Sequence, residues 1–188
     1  MIGNADKILA LTNYDVILNS VHLVPAARWE QPYNRIPFTD DGTDEEVRGY
    51  LKLYFDLVLE TVDAFDFDVL AHLTCPVRYM TGLHRRKTDI MEFEPKIREI
   101  LQKIIDRNIA LEYNTGGLNP KFGFCDIQNE DLFSLYKSMG GTLVTLGSDA
   151  HRTAGICHSF DMAVNTLKKC GFDQYHYFTN RKPVAVKL

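Results

Sequence analysis

The sequence has no C-x-x-C pair: its 4 cysteines, Cys75, Cys125, Cys157 and Cys170, stand singly and far apart. That spacing gives neither a structural zinc site nor a disulfide framework, so a reducing cytosol is the expected compartment. No apolar run reaches the length of a membrane-spanning helix. The opening MIGNADKILALTNYDVIL is broken by Asn13, Tyr14 and Asp15 and lacks a basic start and a small-residue cleavage site, so it does not read as a signal peptide. An excess of positive charge is missing too. The formal net charge is -4 and the pI about 5.8, against the basic face expected of a nucleic-acid binder. The one basic cluster, His84-Arg85-Arg86-Lys87, is short and reads as a solvated loop. Internal repeats, low-complexity segments and linkers are also absent. The 188 residues, 45% of them hydrophobic, are expected to form one domain, 1–188, with a buried core.

What is present is an alternation of short β-like runs with amphipathic helical patterns. YDVILNSVH (14–22) reads as a strand. The prolines of the irregular segment 23–42 deny it a period. Thr43 and Glu46 form a capping box. Behind them Val47, Tyr50, Leu51, Tyr54, Leu57 and Val58 recur at helical spacing. FDVLAH (67–72) is a second strand, followed by the loop-like CPVRYMTGLHRRKTDIM with room for one helical turn. Ile97, Ile100, Leu101, Ile104 and Ile105 make an apolar stripe. IALEYNT (109–115) is a third strand and TLVTLGSDAH (142–151) a fourth. Helices are expected from about Glu130 to Met139 and from about Ser159 to Cys170, each ended by glycine. The tail from Tyr175, YHYFTNRKPVAVKL, has room for a final strand. Repeated strand-then-helix units predict a mostly parallel α/β architecture.

The ends of these strands carry the chemistry. The first finishes at His22, the second at His72, the third at Asn114, and the fourth at Asp149 and His151. In a parallel α/β fold the C-terminal strand ends face one way, and barrel enzymes place their sites there. Each residue also has a plain structural role open to it. A histidine at a strand end is commonly a satisfied structural group, and Asp149 can cap the loop into the next helix. Two histidines and an Asp-x-His pair at separate strand ends nevertheless form the donor set that zinc, manganese or iron takes. His84, His158 and His176 sit in different contexts and are not expected to be ligands. Cys75, three residues after His72, is a remote candidate because a hard-ligand site does not call for a thiolate.

NSVHLV, VLAHLTCPVRY, ALEYNTGGL and TLGSDAH, in that order and spacing, resemble four motifs of the PHP-type metal-dependent phosphoesterases, most closely the histidinol-phosphatase branch. The resemblance runs from about Asp15 to Gly171. It implies a partial, distorted parallel β/α barrel of TIM-like kind, with divalent metal ions at the C-terminal mouth. It also implies hydrolysis of a small phosphorylated substrate, L-histidinol phosphate, as in histidine biosynthesis. By motif, His22, His72, Asp149 and His151 would be metal ligands, and Asp149 and His151 would serve catalysis. Arg78 would hold the substrate phosphate, where a planar guanidinium suits bidentate contact; Arg152 is a weaker candidate for the same charge. The plainer role for Arg78 is a surface salt bridge. Glu112 and Asn114 alternate onto one face of the third strand and would orient ligands from behind.

The chain also departs from the family pattern. Members open with a His-x-His motif and carry a further Glu ligand before the SVH motif. The 21 residues ahead of His22 contain neither His nor Glu. The expectation is therefore a PHP-like domain truncated on its N-terminal side, with an unpaired edge at its first strand. A homo-oligomer or a completing chain would be its partner. Two readings stand: a phosphatase whose activity in this chain alone is in doubt, or a degenerate remnant acting as a metal-binding or protein-interaction module. Nucleic acid and membrane are not expected partners. The segment 23–42, with Trp29, Tyr33 and Arg35, reads equally as a lid and as a structural excursion.

Overall fold

The computed structural model describes residues 5–22, 24, 42–123, 127 and 129–188. Trp29, Tyr33 and Arg35, and with them the lid expected over 23–42, lie outside the described residues.

Four strands form one parallel sheet in chain order: β1 (Leu18–Asn19), β2 (Val69–Leu70), β3 (Ala110–Asn114) and β4 (Val144–Gly147). Consecutive neighbours in a parallel sheet require crossovers. Helices supply them: α2 (Asp44–Ala64) between β1 and β2, α4 (Glu94–Asp106) between β2 and β3, and α5 (Asn129–Ser138) between β3 and β4. A five-residue helix, α1 (Ala5–Leu9), precedes the sheet, and α6 (Phe160–Lys169) follows it. The expected α/β class with a parallel sheet is what the chain adopts. Among the described residues the sheet is open, with β1 and β4 at its two ends, rather than a closed barrel.

The helices begin and end where local chemistry dictates. At the start of α2 the Thr43 side chain accepts from the Glu46 amide and Glu46 accepts from the Thr43 amide, so two otherwise orphaned donors are satisfied. From there Val47, Tyr50, Leu51, Tyr54, Phe55, Val58 and Val62 are buried. On α4 the buried stripe is Ile97, Ile100, Leu101 and Ile104, while Ile105 is only partly covered. All five residues of β3 are buried, as befits a strand paired on both sides in the middle of the sheet.

Three elements differ from the sequence expectation. The strands are shorter than their apolar runs; the first two keep only two paired residues each. The loop-like stretch after His72 is helical. A short turn, α3 (Cys75–Val77), carries Pro76 at its second position, where a missing N–H is harmless, and continues as a π-helix over Arg78–Leu83. The tail forms two antiparallel strands, β5 (Gln174–Thr179) and β6 (Lys182–Lys187). Asn180 and Arg181 take φ of 48° and 60°, the left-handed pair that a tight hairpin turn needs.

The hairpin tip is tied to the N-terminal side of the sheet. Arg181 Nη1 donates to Asp66 at 2.9 Å and its Nε to Asp68 at 3.1 Å. Asp68 also accepts from the Ile17 amide at 2.8 Å. Asp15 takes the Asn180 amide on its carboxylate and the Arg181 amide on its carbonyl, each at 2.9 Å. These ties leave the opposite end, where the strands finish, for the site.

Candidate active site

In the parallel sheet, β2, β3 and β4 each run on into a segment that borders one cavity of about 900 Å³. Arg78 and Tyr79 come from the helix after β2, Gly116 through Phe122 from the turns after β3, and Ser148 through His158 from the loop after β4. Two of these segments begin with strained backbone. His72 has φ of 30° and Asp149 has φ of 51°, values that residues with side chains adopt in a minority of cases.

Arg78 is 6% exposed. Its guanidinium forms an ion pair with the carboxylate of Asp149. It also lies over the rings of Tyr79 and Phe122, at 5.2 and 5.6 Å from their centroids. It is therefore not the surface salt bridge that was one option from sequence. Room for the pair comes from Gly116: a β-carbon there would stand 2.9 Å from Arg78 Nη1 and 3.3 Å from the Asp149 side chain. Arg78 Nε is buried and, among the described residues, unpartnered.

His151 is exposed, and its Nδ1 lies 2.9 Å from the carbonyl of Asp149. A carbonyl only accepts, so Nδ1 carries the proton and the neutral ring keeps its lone pair on Nε2. Arg152 is exposed beside it on the cavity wall.

His72 is buried at 7% exposure, and its Nδ1 has no hydrogen-bond partner among the described residues. Burial, reinforced by Arg78 and His22, pushes its pKa down to about 4, so the ring is neutral at physiological pH. His22 is exposed, with its ring edge-on to that of His72 at 5.0 Å between centroids. Behind His72, Glu112 accepts the His72 amide at 2.7 Å and Asn114 Nδ2 at 3.0 Å. Burial raises the Glu112 pKa against the opposing effect of these two donors. Asn114 in turn accepts from the Gly116 amide at 2.9 Å.

The structure thus brings Arg78, Asp149, His151 and Arg152 to one cavity and His22 beside His72. It does not bring the four expected metal ligands into one cluster: among the described residues no three His, Cys, Asp or Glu stand close enough to share an ion. By kind the donors fit a divalent metal, since His72 offers a buried, neutral, unpartnered ring and His151 a free Nε2. By position Asp149 is turned to Arg78 instead. Cys75 is buried and its thiol is pushed up to about 11 by that burial, which keeps it protonated and a poor ligand.

Sequence reasoning missed Lys121, Phe122 and His158 on the cavity wall. Nothing in a single sequence flags the first two. His158 sits in a left-handed stretch, with Cys157 and Ser159 at φ of 59° and 56°, and its Nε2 is buried without a partner among the described residues. His176, not expected to be a ligand, is buried against the Val144 carbonyl at 3.3 Å.

No family model matches the chain. It is similar to curated proteins named probable histidinol-phosphatase. That of Thermotoga maritima is 32% identical over 151 residues, covering 77% of this chain and 57% of the relative. That of Clostridium acetobutylicum is 30% identical over 161 residues, covering 84% and 58%. The chain therefore spans less than two thirds of the length of the curated relatives it matches. A crystal structure of histidinol phosphate phosphatase from Lactococcus lactis, complexed with zinc, L-histidinol and phosphate, superposes with a TM-score of 0.66 at 22% identity. The match covers 97% of this chain and 66% of that one, and it shows a shared fold.

Proposed function

We propose that this chain is part of a PHP-type metal-dependent phosphoesterase of the histidinol-phosphatase branch, with residues 1–188 lying in a single domain. The protein it belongs to hydrolyses L-histidinol phosphate to L-histidinol and phosphate. The observation that carries this reading is the meeting of a buried arginine with an Asp-x-His pair on one cavity at the C-terminal ends of parallel strands. The similarity to probable histidinol-phosphatases at 30–32% identity supports the substrate.

The residues divide the work. Arg78, fixed by Tyr79 and Phe122, presents a permanent positive charge and two parallel N–H donors, the geometry that grips a phosphate. Arg152 and Lys121, at the cavity wall, add charge that draws a phosphomonoester inward. Asp149 holds Arg78 until an anion competes for it. His22, His72, Asp149 and His151 would hold divalent metal. A metal bound there supplies charge neutralisation for the phosphate and a water of lowered pKa. His151 keeps Nδ1 on the Asp149 carbonyl, which orients Nε2.

A second reading is a metal-binding or protein-interaction module without catalysis. The Arg78–Asp149 ion pair favours it, because it engages the carboxylate that would otherwise be given to a metal. The experiment that decides is phosphate release by the full protein, with zinc or manganese supplied, from L-histidinol phosphate and a panel of unrelated phosphomonoesters. Preferential release from L-histidinol phosphate supports the phosphatase. No release from any ester by folded protein leaves the module.

A further inference from the structure

One buried carboxylate behind the site takes no direct part in holding phosphate or metal. Glu112 sits in the middle of β3 and is 8% exposed. It reaches across to the end of β2, where its Oε2 accepts the His72 amide at 2.7 Å. It has room to do so because residue 147 on the other neighbouring strand, β4, is glycine. A β-carbon at Gly147 would stand 1.8 Å from Glu112 Oε1 and 2.6 Å from its Cδ. A side chain at 147 therefore forces the Glu112 carboxylate out of the place from which it holds the His72 amide.

What Glu112 grips is the strained residue. His72 departs from the strand at φ of 30°, a conformation that persists only where its surroundings hold it. Its amide is held by Glu112, and its carbonyl by the Cys75 amide at 2.8 Å. With both sides of the residue fixed, the direction of its Cα–Cβ bond is fixed, and from it the ring stands edge-on to His22. Asn114, two residues along β3 on the same face, steadies the carboxylate at 3.0 Å.

We infer that Glu112 is a positioning residue: admitted by the missing side chain of Gly147, it clamps the main chain of His72 and so sets where the His72 imidazole stands in the site. This rests on the reading of His72 as a site residue, and its test does not use substrate turnover alone. In the full, metal-free protein, a proton NMR cross-peak between the His22 and His72 rings reports their placement. The His176 ring, bonded to Val144 at the far end of β4, reports the fold.

The cross-peak is expected in the unmodified protein and in Glu112→Gln, whose side-chain carbonyl still accepts the His72 amide. It is expected to vanish in Glu112→Ala with the His176 signals unmoved. Gly147→Ala is expected to lower the melting temperature on its own and to add no further loss in the Glu112→Ala background, where the clashing group is gone. A cross-peak that survives Glu112→Ala overturns the inference. So does a Gly147→Ala effect of equal size with and without Glu112, or a double variant that fails to fold when Glu112→Ala folds. With L-histidinol phosphate, kcat is expected to fall about tenfold or more in Glu112→Ala and to recover in Glu112→Gln, the scale on which residues behind metal ligands act. A protein that shows the cross-peak pattern but hydrolyses no phosphomonoester loses the functional reading and keeps the positioning one.

Discussion

Arg78 and Asp149, 71 residues apart in sequence, meet as an ion pair on the wall of the cavity, with 7% and 22% of their side chains exposed. Removing the arginine strands a largely covered carboxylate, whereas an exposed pair would hardly matter. Arg78→Met is expected to lower stability by about 1–3 kcal/mol, read from urea unfolding. Arg78→Lys keeps the charge but loses the paired donors. It is expected to raise KM for L-histidinol phosphate about tenfold or more, a loss of about 1.4 kcal/mol in binding. Unchanged KM in Arg78→Lys removes the phosphate role.

Acid should loosen the fold through His72. The native ring titrates at about 4, while in the unfolded chain it titrates near 6.5. Above pH 6.5 both states are neutral, and the contribution is fully present. As pH falls from 6.5 toward 4, the unfolded chain takes up a proton that the native state refuses, and stability is lost. Two and a half pH units correspond to about 3 kcal/mol. Glu112 acts with the opposite sign: its raised pKa stabilises fully below 4.5 and less as pH rises toward the folded value. The comparison with His72→Gln separates the two. Unfolding free energies from pH 7 to 4, in chelator, are expected to fall less steeply in the variant; parallel curves contradict the assignment.

At the far end of the sheet, Arg181 joins the hairpin tip to Asp66 and Asp68. Asp68 is 8% exposed, while the arginine side chain is 35% exposed and partly screened. Arg181→Ala is expected to destabilise by about 1–2 kcal/mol, visible as a lower melting temperature. Asp68→Ala should cost more, because the Ile17 amide loses its acceptor too. Phosphate release should survive both variants at temperatures where they remain folded. Equal effects of the two variants would mean that Asp68 acts only through Arg181.

Much of this was legible in the sequence. Thr43 and Glu46 announced the start of α2, the isoleucine spacing of α4 its buried stripe, and the polar residues after each apolar run the end of the sheet that carries chemistry. These signals are local: a cap spans three residues and a stripe repeats every three or four. What could not be read depends on distance across the fold. Nothing near Gly147 says that Glu112 needs its side chain absent, and nothing near Arg78 says that Asp149 will face it. The hairpin reads as one strand in sequence because Thr179 to Arg181 carries no glycine, the usual mark of a left-handed turn. The π-helix after His72 was hidden by Pro76, which reads as a breaker inside a pattern and as a favourable start at its edge.

The most direct measurement of the central claim, that this cavity performs the hydrolysis, is kcat/KM for L-histidinol phosphate in the full protein and its Asp149→Asn variant, with and without chelator. Asp149→Asn keeps size and hydrogen bonding while removing the charge that pairs with Arg78 and would bind metal. The account predicts phosphate release that the chelator abolishes, and a loss of about a hundredfold or more in Asp149→Asn, measured at a temperature where the variant remains folded. Release that persists at the unmodified rate in Asp149→Asn would place the chemistry elsewhere and contradict it.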